Sequence, residues 1–266
     1  MIAQFENGFI TKSKLNEMVD GINTSVADTT SINSILSNIV ILNSNITKTV
    51  GVGGDFATLS QAFEWCSRVV STKYRVSLVI LTGFNITEQI KLENVDFGFV
   101  DISAQVKSDY INVDTLGFTL KCLDNSLHYA FWFKNSISPV FKSTIHLITH
   151  VSQGVLTIEP IGIYAEENSI VRFADAKGII YLNIGECYKN TIFINTGSKL
   201  FAKKFSMSIS HTGLRVENNS YAEVSGMNTW ANKFCIIARN GSVINAKGSS
   251  ISVPNADINT IIDISC

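Results

Sequence analysis

One short pattern occurs four times in the second half of the sequence, and it limits what the chain can fold into. The four segments align without gaps: Gly162–Ser169, Thr191–Ser198, Gly213–Ser220 and Cys235–Ser242. Their closing serines are 29, 22 and 22 residues apart. Apolar residues stand two and four positions after every serine, namely Val171/Phe173, Leu200/Ala202, Ala222/Val224 and Ile244/Ala246. Each segment therefore predicts a strand, a tight corner and a second strand whose alternate side chains point inward.

The period of this pattern predicts a solenoid. A unit of about 22 residues cannot bury its apolar face alone, so neighbouring units must stack on one another. With two or three short strands, such a unit is one coil of a parallel β-helix. Further strands are predicted at Val76–Leu81, Ile86–Leu92 and Phe97–Ile102, where Gly, Asn and Asp separate apolar runs. About 190 residues of such coils give roughly eight or nine levels.

The composition excludes several classes of protein. The formal net charge is −1 and only 16% of residues are charged, so the concentrated basic face of a nucleic-acid-binding protein is not expected. No run of about 18 apolar residues could span a membrane, and Met1–Ile10 lacks the pattern of a signal peptide. The five cysteines are far apart and form no CxxC pair, which predicts buried free thiols in a reducing cytoplasm.

The N-terminal region carries a heptad pattern from Leu15 to Val50. The apolar seam residues predicted to hold chains together are Leu15, Met18, Ile22, Ile32, Leu36, Ile39 and Ile46. Isoleucine at both seam positions favours three strands, whereas Gly21 and the β-branched stretch 24–34 weaken a continuous rod. A trimeric coil, a broken helix and a single helix packed on its own domain all stay open. The predicted domains are 1–49 and 50–266.

A glycine-rich turn follows this pattern and precedes a predicted helix. Three glycines in four positions, Gly51 to Gly54, mark a sharp change of direction, and the Gly-Lys-Ser/Thr ending of a phosphate loop is absent. Ser60 can cap a helix over Leu59–Val70 with one apolar face. Such a helix can cover the open end of a β stack, which would otherwise expose its apolar interior.

The run Val50–Ala62, with its Gly-Gly-Asp-Phe-Ala-Thr core, resembles the opening motif of tailed-phage tailspikes and tail fibres built on the pectate-lyase-like right-handed β-helix. Residues Gly83–Asp96 resemble the first coils of those proteins, and Met1–Asn23 is similar to their virion-attachment leaders. The resemblance implies an all-β right-handed parallel β-helix with a capping helix and an N-terminal helical segment. It also implies a homotrimeric virion appendage, folded in the host cytoplasm and not secreted.

The same resemblance implies partners and leaves the activity open. The N-terminus would attach to a phage tail or baseplate protein, and the β-helix would contact a glycan of the host surface, with no membrane insertion, nucleic acid or cofactor. A receptor-binding fibre is the favoured interpretation. The alternatives are an enzyme that degrades capsular or O-antigen polysaccharide and an adaptor that carries another fibre.

A glycosidase would need paired carboxylates, and Glu166 and Glu217 are the candidates. They occupy equivalent positions two coils apart, roughly 9 to 10 Å along the stack. Carboxylates beside such corners are more often solvated, and no aromatic-lined cleft is evident beside them, so the catalytic reading is the weaker one. His146 and His150 lie four apart in a predicted strand, roughly 13 Å apart, which is too far for one metal ion. No metal site is predicted.

Two aromatic stretches are candidates for recognition. The connection Ser225–Asn232 is predicted to be a loop in which Trp230, flanked by Asn228 and Thr229, offers a sugar an apolar surface with hydrogen-bonding neighbours. Packing of Trp230 against a neighbouring chain or coil is the alternative. In the irregular middle of the chain, strand alternation places Tyr129, Phe131 and Phe133 on one face and Trp132 on the other.

Overall fold

The computed structural model describes residues 39–106, 110–114, 127–148, 159–182, 190–208, 212–230, 234–252 and 262–265. The chain divides into two compact units. The described part of the smaller unit is residues 39–41 and 68–70, in which strand β1 (Val40–Ile41) pairs in parallel with strand β3 (Val69–Val70). The larger unit contains residues 42–67 and 71–266 and holds all the other elements.

Three parallel sheets build the larger unit. Sheet A has eight strands: β2 (Ile46–Val50), β4 (Val76–Ile80), β7 (Val100–Ala104), β10 (Ile137–Phe141), β13 (Ile170–Phe173), β16 (Lys199–Phe201), β19 (Tyr221–Glu223) and β22 (Val243–Asn245). Sheet B has seven strands: β5 (Asn85–Ile86), β8 (Ile111–Asp114), β11 (Ile145–Ile148), β14 (Gly178–Leu182), β17 (Ser206–Ser208), β20 (Asn228–Trp230) and β23 (Ser250–Ser252). Sheet C has seven strands: β6 (Ile90–Glu93), β9 (Leu127–Lys134), β12 (Glu159–Glu166), β15 (Asn190–Ile194), β18 (Thr212–Val216), β21 (Phe234–Arg239) and β24 (Ile262–Ser265).

The order of the strands gives the architecture. From β4 onward the chain visits sheets A, B and C in turn, so every third strand returns to the same sheet and pairs there in parallel with its predecessor. One strand from each sheet forms one level. The protein is therefore all-β with stacked parallel sheets, an arrangement consistent with a parallel β-helix. The described strands form seven complete levels, from β4–β6 to β22–β24, and β2 adds an eighth strand to sheet A, whereas eight or nine levels were predicted.

The residues that align between the four repeated segments are the same residues that pair between neighbouring strands. In sheet C, Ile163 pairs with Ile192, Ile192 with Leu214, and Leu214 with Ile236. In sheet A, the residues two positions after the corner serines pair in the same way, in the order Val171, Leu200, Ala222 and Ile244. The first three of these are fully buried. The 22-residue period thus comes from one complete turn of the chain through three sheets.

Aromatic rings fill part of the interior of the stack. The phenylalanine column consists of Phe131, Phe141, Phe173 and Phe205, each at most 6% exposed. Phe141 and Phe173 are directly paired in sheet A, and their ring centroids lie 4.9 Å apart. Phe131 lies 5.4 Å from Phe141, and Phe205 lies 4.9 Å from Phe173. Successive levels are therefore joined by ring contacts as well as by backbone hydrogen bonds.

The corners between sheets C and A repeat one backbone geometry. Asn94, Asn135, Asn218 and Asn240 adopt positive φ angles of 57°, 45°, 56° and 54°, which asparagine tolerates better than other side-chain-bearing residues. Two of their side-chain amides donate hydrogen bonds along the stack. Asn218 donates to Asn195 at 2.7 Å, and Asn240 donates to Asn218 at 2.8 Å. Each level therefore fixes the corner of the next.

The corner serines add a second line of hydrogen bonds. The backbone N–H of Ser136 donates to the Ser169 hydroxyl at 3.1 Å, and that of Ser169 donates to the Ser198 hydroxyl at 3.0 Å. The Ser220 N–H donates to Ser242 in the same way. Ser169 and Ser198 are fully buried, so these bonds satisfy backbone groups that water cannot reach. Gly197 lacks a side chain where a Cβ atom would lie 2.5 Å from Asn168 Oδ1.

The glycine-rich turn is fastened to strand β2. Asp55 accepts hydrogen bonds from the backbone and hydroxyl of Thr49 at 2.7 and 2.8 Å, and from Lys48 at 2.7 Å. These bonds lower the pKa of Asp55 to about 2, the Lys48 bond contributing most. Helix α1 (Leu59–Cys66) follows, and Thr58 and Gln61 form a capping box at its start.

The predicted position of helix α1 is confirmed, and its ends differ from the prediction. The N-cap is Thr58 and not Ser60, because the Thr58 side chain accepts from the Gln61 N–H. The helix ends at Cys66, and the β-branched pair Val69–Val70 forms strand β3 instead of a last helical turn. Phe63 stacks on Phe97 with ring centroids 5.2 Å apart. The buried face of the helix is Leu59, Ala62, Phe63 and Cys66.

The heptad pattern overpredicted helix at its C-terminal end. Ile39 is 39% exposed, and Ile46 lies in strand β2, which crosses the predicted domain boundary at residue 49. Four of the five residues of Ile46–Val50 are β-branched, which favours a strand, and pairing with β4 supplies backbone hydrogen bonds that an isolated helix end would lack. The other predicted seam residues, Leu15, Met18, Ile22, Ile32 and Leu36, lie outside the described residues.

Candidate ligand-binding face

The outer side of sheet C carries a continuous group of aromatic rings. This aromatic row consists of Tyr129, Trp132, Tyr164 and Phe193, each between 3% and 8% exposed. Tyr129 stacks on Tyr164 with centroids 4.8 Å apart, and Tyr164 lies 5.2 Å from Phe193. Trp132 pairs in register with Tyr164, and Tyr164 with Phe193, so the row follows successive levels of the stack.

The position of Tyr129 differs from the prediction based on alternation. Tyr129 belongs to the aromatic row with Trp132, whereas Phe131 and Phe133 face the interior and lie against each other. Pairing between β9 and β12 skips Ala130, and it resumes at Phe131. The register is unchanged on both sides of Ala130, and the equivalent residue is omitted from the pairing on the following levels, so strict alternation fails at this point of sheet C on each of them.

Cationic side chains lie over two rings of the aromatic row. Lys91 Nζ is 4.2 Å from the centre of the Trp132 ring, and Arg215 Cζ is 4.4 Å from the centre of the Phe193 ring. Both cations are in the geometry of cation–π contacts. The Lys91 side chain is exposed and that of Arg215 is half-buried. The rings therefore lie beneath these two charged side chains.

Glu166 sits at the end of strand β12 and is bound by the aromatic row. Its Oε1 accepts a hydrogen bond from Trp132 Nε1 at 3.0 Å, and its Oε2 accepts one from the Tyr164 hydroxyl at 3.0 Å. Asn195, one level further on, donates to the same hydroxyl at 3.2 Å. Burial raises the pKa of Tyr164 to about 12, so this hydroxyl keeps its proton at ordinary pH.

Glu217 lies at the position predicted to be equivalent to Glu166. The register Ala165–Ile194–Val216 places both at the ends of their strands, two levels apart, with Asn195 between them. Glu217 is 7% exposed and forms an ion pair with Arg215 at 2.9 Å. Both carboxylates therefore have protein partners, and Glu166 has an aromatic surrounding that the sequence interpretation did not anticipate. The catalytic role of the pair stays a prediction.

The predicted recognition residues lie in a strand and not in a loop. Asn228, Thr229 and Trp230 form β20, where Trp230 pairs with Ser208 on one side and Ser252 on the other. Backbone pairing with both neighbours organises this polar stretch although it lacks an apolar alternation. Asn228 is exposed. Receptor binding by these three residues stays a prediction.

Among the histidine and cysteine residues for which predictions were made, His146 and Cys66 have side chains that the structure describes. His146 lies in β11 and stacks on Tyr110, with ring centroids 3.5 Å apart, and burial lowers its pKa. Cys66 is a buried free thiol, as predicted. Residue His150 lies outside the described residues. Within the described parts of the chain, no group of three or more His, Cys, Asp or Glu residues could hold a metal ion.

The aromatic row could have been found in the sequence. Tyr164, Phe193 and Arg215 occupy the same column of the four-segment alignment, and this column points outward because its neighbours are buried inside. Large aromatic residues that recur at an outward position of a repeat predict ring contacts between successive levels. Trp132 could not be found in this way, because its strand precedes the repeated segments.

Comparison with known proteins adds no family to these observations. No protein-family profile matches the chain, and no curated protein matches it at a significant level. No helix in the described ranges has the length and apolarity needed to cross a membrane.

Proposed function

We propose that the chain is a structural, adhesive protein of a tailed-phage virion, a tail fibre or short tailspike that binds a glycan of the host surface. In this proposal the fold is a right-handed β-helix, three copies assemble in parallel, and the N-terminal segment joins a tail or baseplate protein. The mature protein is part of the virion and folds in the cytoplasm of the bacterial host.

The observation that carries the proposal is the order of the elements. A Gly-Gly-Asp-Phe-Ala-Thr turn is fastened to strand β2, helix α1 follows it, and a stack of three-stranded levels begins directly afterwards. This is the order that the resemblance to phage tailspikes implies. The aromatic row is itself buried and supports a binding role only by holding polar groups in place, namely Glu166, Lys91 and Arg215.

The leading alternative is a polysaccharide-degrading enzyme with Glu166 and Glu217 as its carboxylates. A glycosidase of the inverting class holds its two carboxyl groups about 6.5 to 9.5 Å apart, and one of them must deliver a proton. Two levels of the stack correspond to roughly 9 to 10 Å. Both oxygens of Glu166 accept hydrogen bonds from protein groups, and Glu217 forms an ion pair with Arg215. Both carboxylates are therefore already engaged within the protein, which favours binding over cleavage.

Incubation of the purified chain with a panel of capsular and O-antigen polysaccharides distinguishes the candidate functions. Retention of an intact polysaccharide supports the adhesive function. Shortened chains, detected by size-exclusion chromatography, would indicate the enzyme, and the Glu166→Gln and Glu217→Gln variants should then lose the cleavage. If the polysaccharides are neither retained nor shortened, the result supports the adaptor function. Light scattering should give three times the chain mass of 29.2 kDa, and a mass near 29.2 kDa would contradict the trimer.

A further inference from the structure

The outer side of sheet A has a second aromatic surface, near the C-terminal end of the stack. Phe201 is 39% exposed, and its ring centroid lies 6.2 Å from that of Tyr221 on the neighbouring strand. Val243, which pairs with Tyr221, is 57% exposed. The inward partners Leu200 and Ala222 are fully buried, so the outward direction of these rings follows from strand alternation.

A hydrogen-bond network holds this surface in one arrangement. Glu223 Oε2 accepts hydrogen bonds from the Tyr221 hydroxyl at 3.0 Å and from Asn245 Nδ2 at 2.8 Å. Glu223 Oε1 accepts a hydrogen bond from the Ser225 hydroxyl at 2.6 Å. The register places Phe201, Glu223 and Asn245 side by side on three successive strands. The Tyr221 ring and the Asn245 amide are therefore fixed before any ligand arrives, which lowers the entropy cost of binding.

We propose that Phe201, Tyr221 and Asn245 form a binding site for an uncharged saccharide, with Glu223 as a positioning residue. We call these four residues the sheet A platform. The rings are inclined by 54° to each other, so one would stack against the apolar face of a pyranose and the other would contact its edge, and the exposed Asn245 amide would hydrogen-bond with its hydroxyl groups. The inference rests on the proposed function, because it names the class of ligand and a place for it.

Charge favours an uncharged sugar over an acidic one. The partners of Glu223 are the neutral groups of Ser225, Tyr221 and Asn245, and no ion pair of Glu223 occurs among the described side chains. These hydrogen bonds, that of Ser225 first, lower the pKa of Glu223, so the carboxylate stays ionised. A ligand carboxylate or phosphate beside it would be repelled. The exposed Lys199 lies beside Tyr221, its partner in the register, so the acidic probe described below tests whether the charge of Lys199 outweighs that of Glu223.

A second copy of the chain fits this surface less well. A stable protein–protein interface buries roughly 800 Å² on each partner. A whole aromatic side chain offers roughly 150 to 250 Å², so two partly exposed rings and one valine amount to a fraction of that area. A single sugar ring, in contrast, needs only a ring-sized apolar surface with polar groups beside it.

Saturation-transfer NMR with the full chain tests the site. The probes are the methyl glycosides of glucose, galactose, mannose, rhamnose, N-acetylglucosamine and N-acetylgalactosamine, with methyl glucuronide as the acidic probe. At least one neutral glycoside should receive saturation on the protons of its apolar face. Phe201→Ala and Tyr221→Ala should each weaken binding by about five- to tenfold, the range expected for one lost ring contact.

Variants of the network separate positioning from folding. Tyr221→Phe keeps the ring and removes its bond to Glu223, so binding should weaken by about two- to threefold, and Glu223→Ala should have a similar effect. Glu223→Gln retains an acceptor and should restore most of the binding. Tyr110→Ala removes an aromatic side chain that is 45% exposed elsewhere and is the matched control, with no expected loss. Circular dichroism should be unchanged in every variant.

Three outcomes would overturn the site. The first is no saturation transfer from any neutral glycoside, the second is transfer to the glucuronide alone, and the third is equal binding by the Phe201→Ala/Tyr221→Ala double variant. Binding to the polysaccharide panel distinguishes failure of this site from failure of the proposed function. Equal retention of a polysaccharide by the wild type and the double variant would refute only the site. No retention by the wild type would refute the adhesive function as well.

Discussion

Replacement of Phe141 by alanine should destabilise the stack strongly. Phe141 is fully buried and contacts Phe131 and Phe173 within the phenylalanine column. A buried Phe→Ala change costs about 3–5 kcal/mol, because apolar contact is lost and a cavity remains. Phe201 is the matched control, since the same change at its exposed position should cost about 1 kcal/mol or less.

Pairs of variants test whether the levels interact only with their neighbours. Phe141 and Phe173 lie in contact, so the double Ala variant should deviate from additivity by about 0.5–1.5 kcal/mol. Phe141 and Phe205 are two levels apart, roughly 9–10 Å. Their double variant should be additive within about 0.5 kcal/mol.

Urea unfolding, followed by circular dichroism and fluorescence, provides the assay. The chain concentration must be held constant, because assembly links apparent stability to concentration. Coincident transitions from the two probes justify free energies from a two-state analysis. Equal losses for Phe141→Ala and Phe201→Ala would refute the assignment of an interior and an exterior face. Equal coupling in the two double variants would refute nearest-neighbour stacking.

Three further predictions follow from individual side chains. Burial raises the pKa of the Cys66 thiol to about 12, so iodoacetamide at pH 8 should modify it in urea and not in the folded protein, as measured by peptide mass spectrometry. Burial lowers the pKa of His146, so the unfolded chain takes up the proton first; stability should fall as pH drops below about 6.5, and His146→Phe should reduce that slope in urea titrations. The pKa of Asp55 is lowered to about 2, so its contribution exists above pH 4 and is lost towards pH 2; Asp55→Ala should lower the melting temperature at pH 7 and change little at pH 2.

Sheets A and C were predictable because their strands carry an apolar signal. Val171 and Leu200 alternate with outward residues, and the corner serines fix the spacing between the two strands of each unit. The sequence therefore predicted the register between neighbouring units. Helix α1 was predictable for the same reason, since its buried residues recur at helical spacing.

Sheet B was harder to predict because several of its strands have three mostly polar residues. Met207 is the apolar residue of Ser206–Ser208 and is buried, and Asn228–Trp230 resembles a loop in composition. Such short segments become strands because the preceding level presents unpaired backbone groups at the right distance. The same cause explains Ile46–Val50, where pairing with β4 overrides a heptad pattern. The residues of such a segment do not themselves indicate that a strand of another level will pair with it.

The order in which paired strands follow one another in the sequence also bears on how the chain folds during its synthesis. Every described strand from β7 onward pairs with a strand that was synthesised earlier, and for β18 to β23 the partner residue lies 22 positions upstream. A ribosome therefore releases each coil next to a finished template, and folding can advance with translation from the N-terminal side. A chain shortened by one whole coil would lose the terminal level and keep the pairing of those before it. Growth of the protein in evolution could proceed in the same steps, by duplication of a single coil.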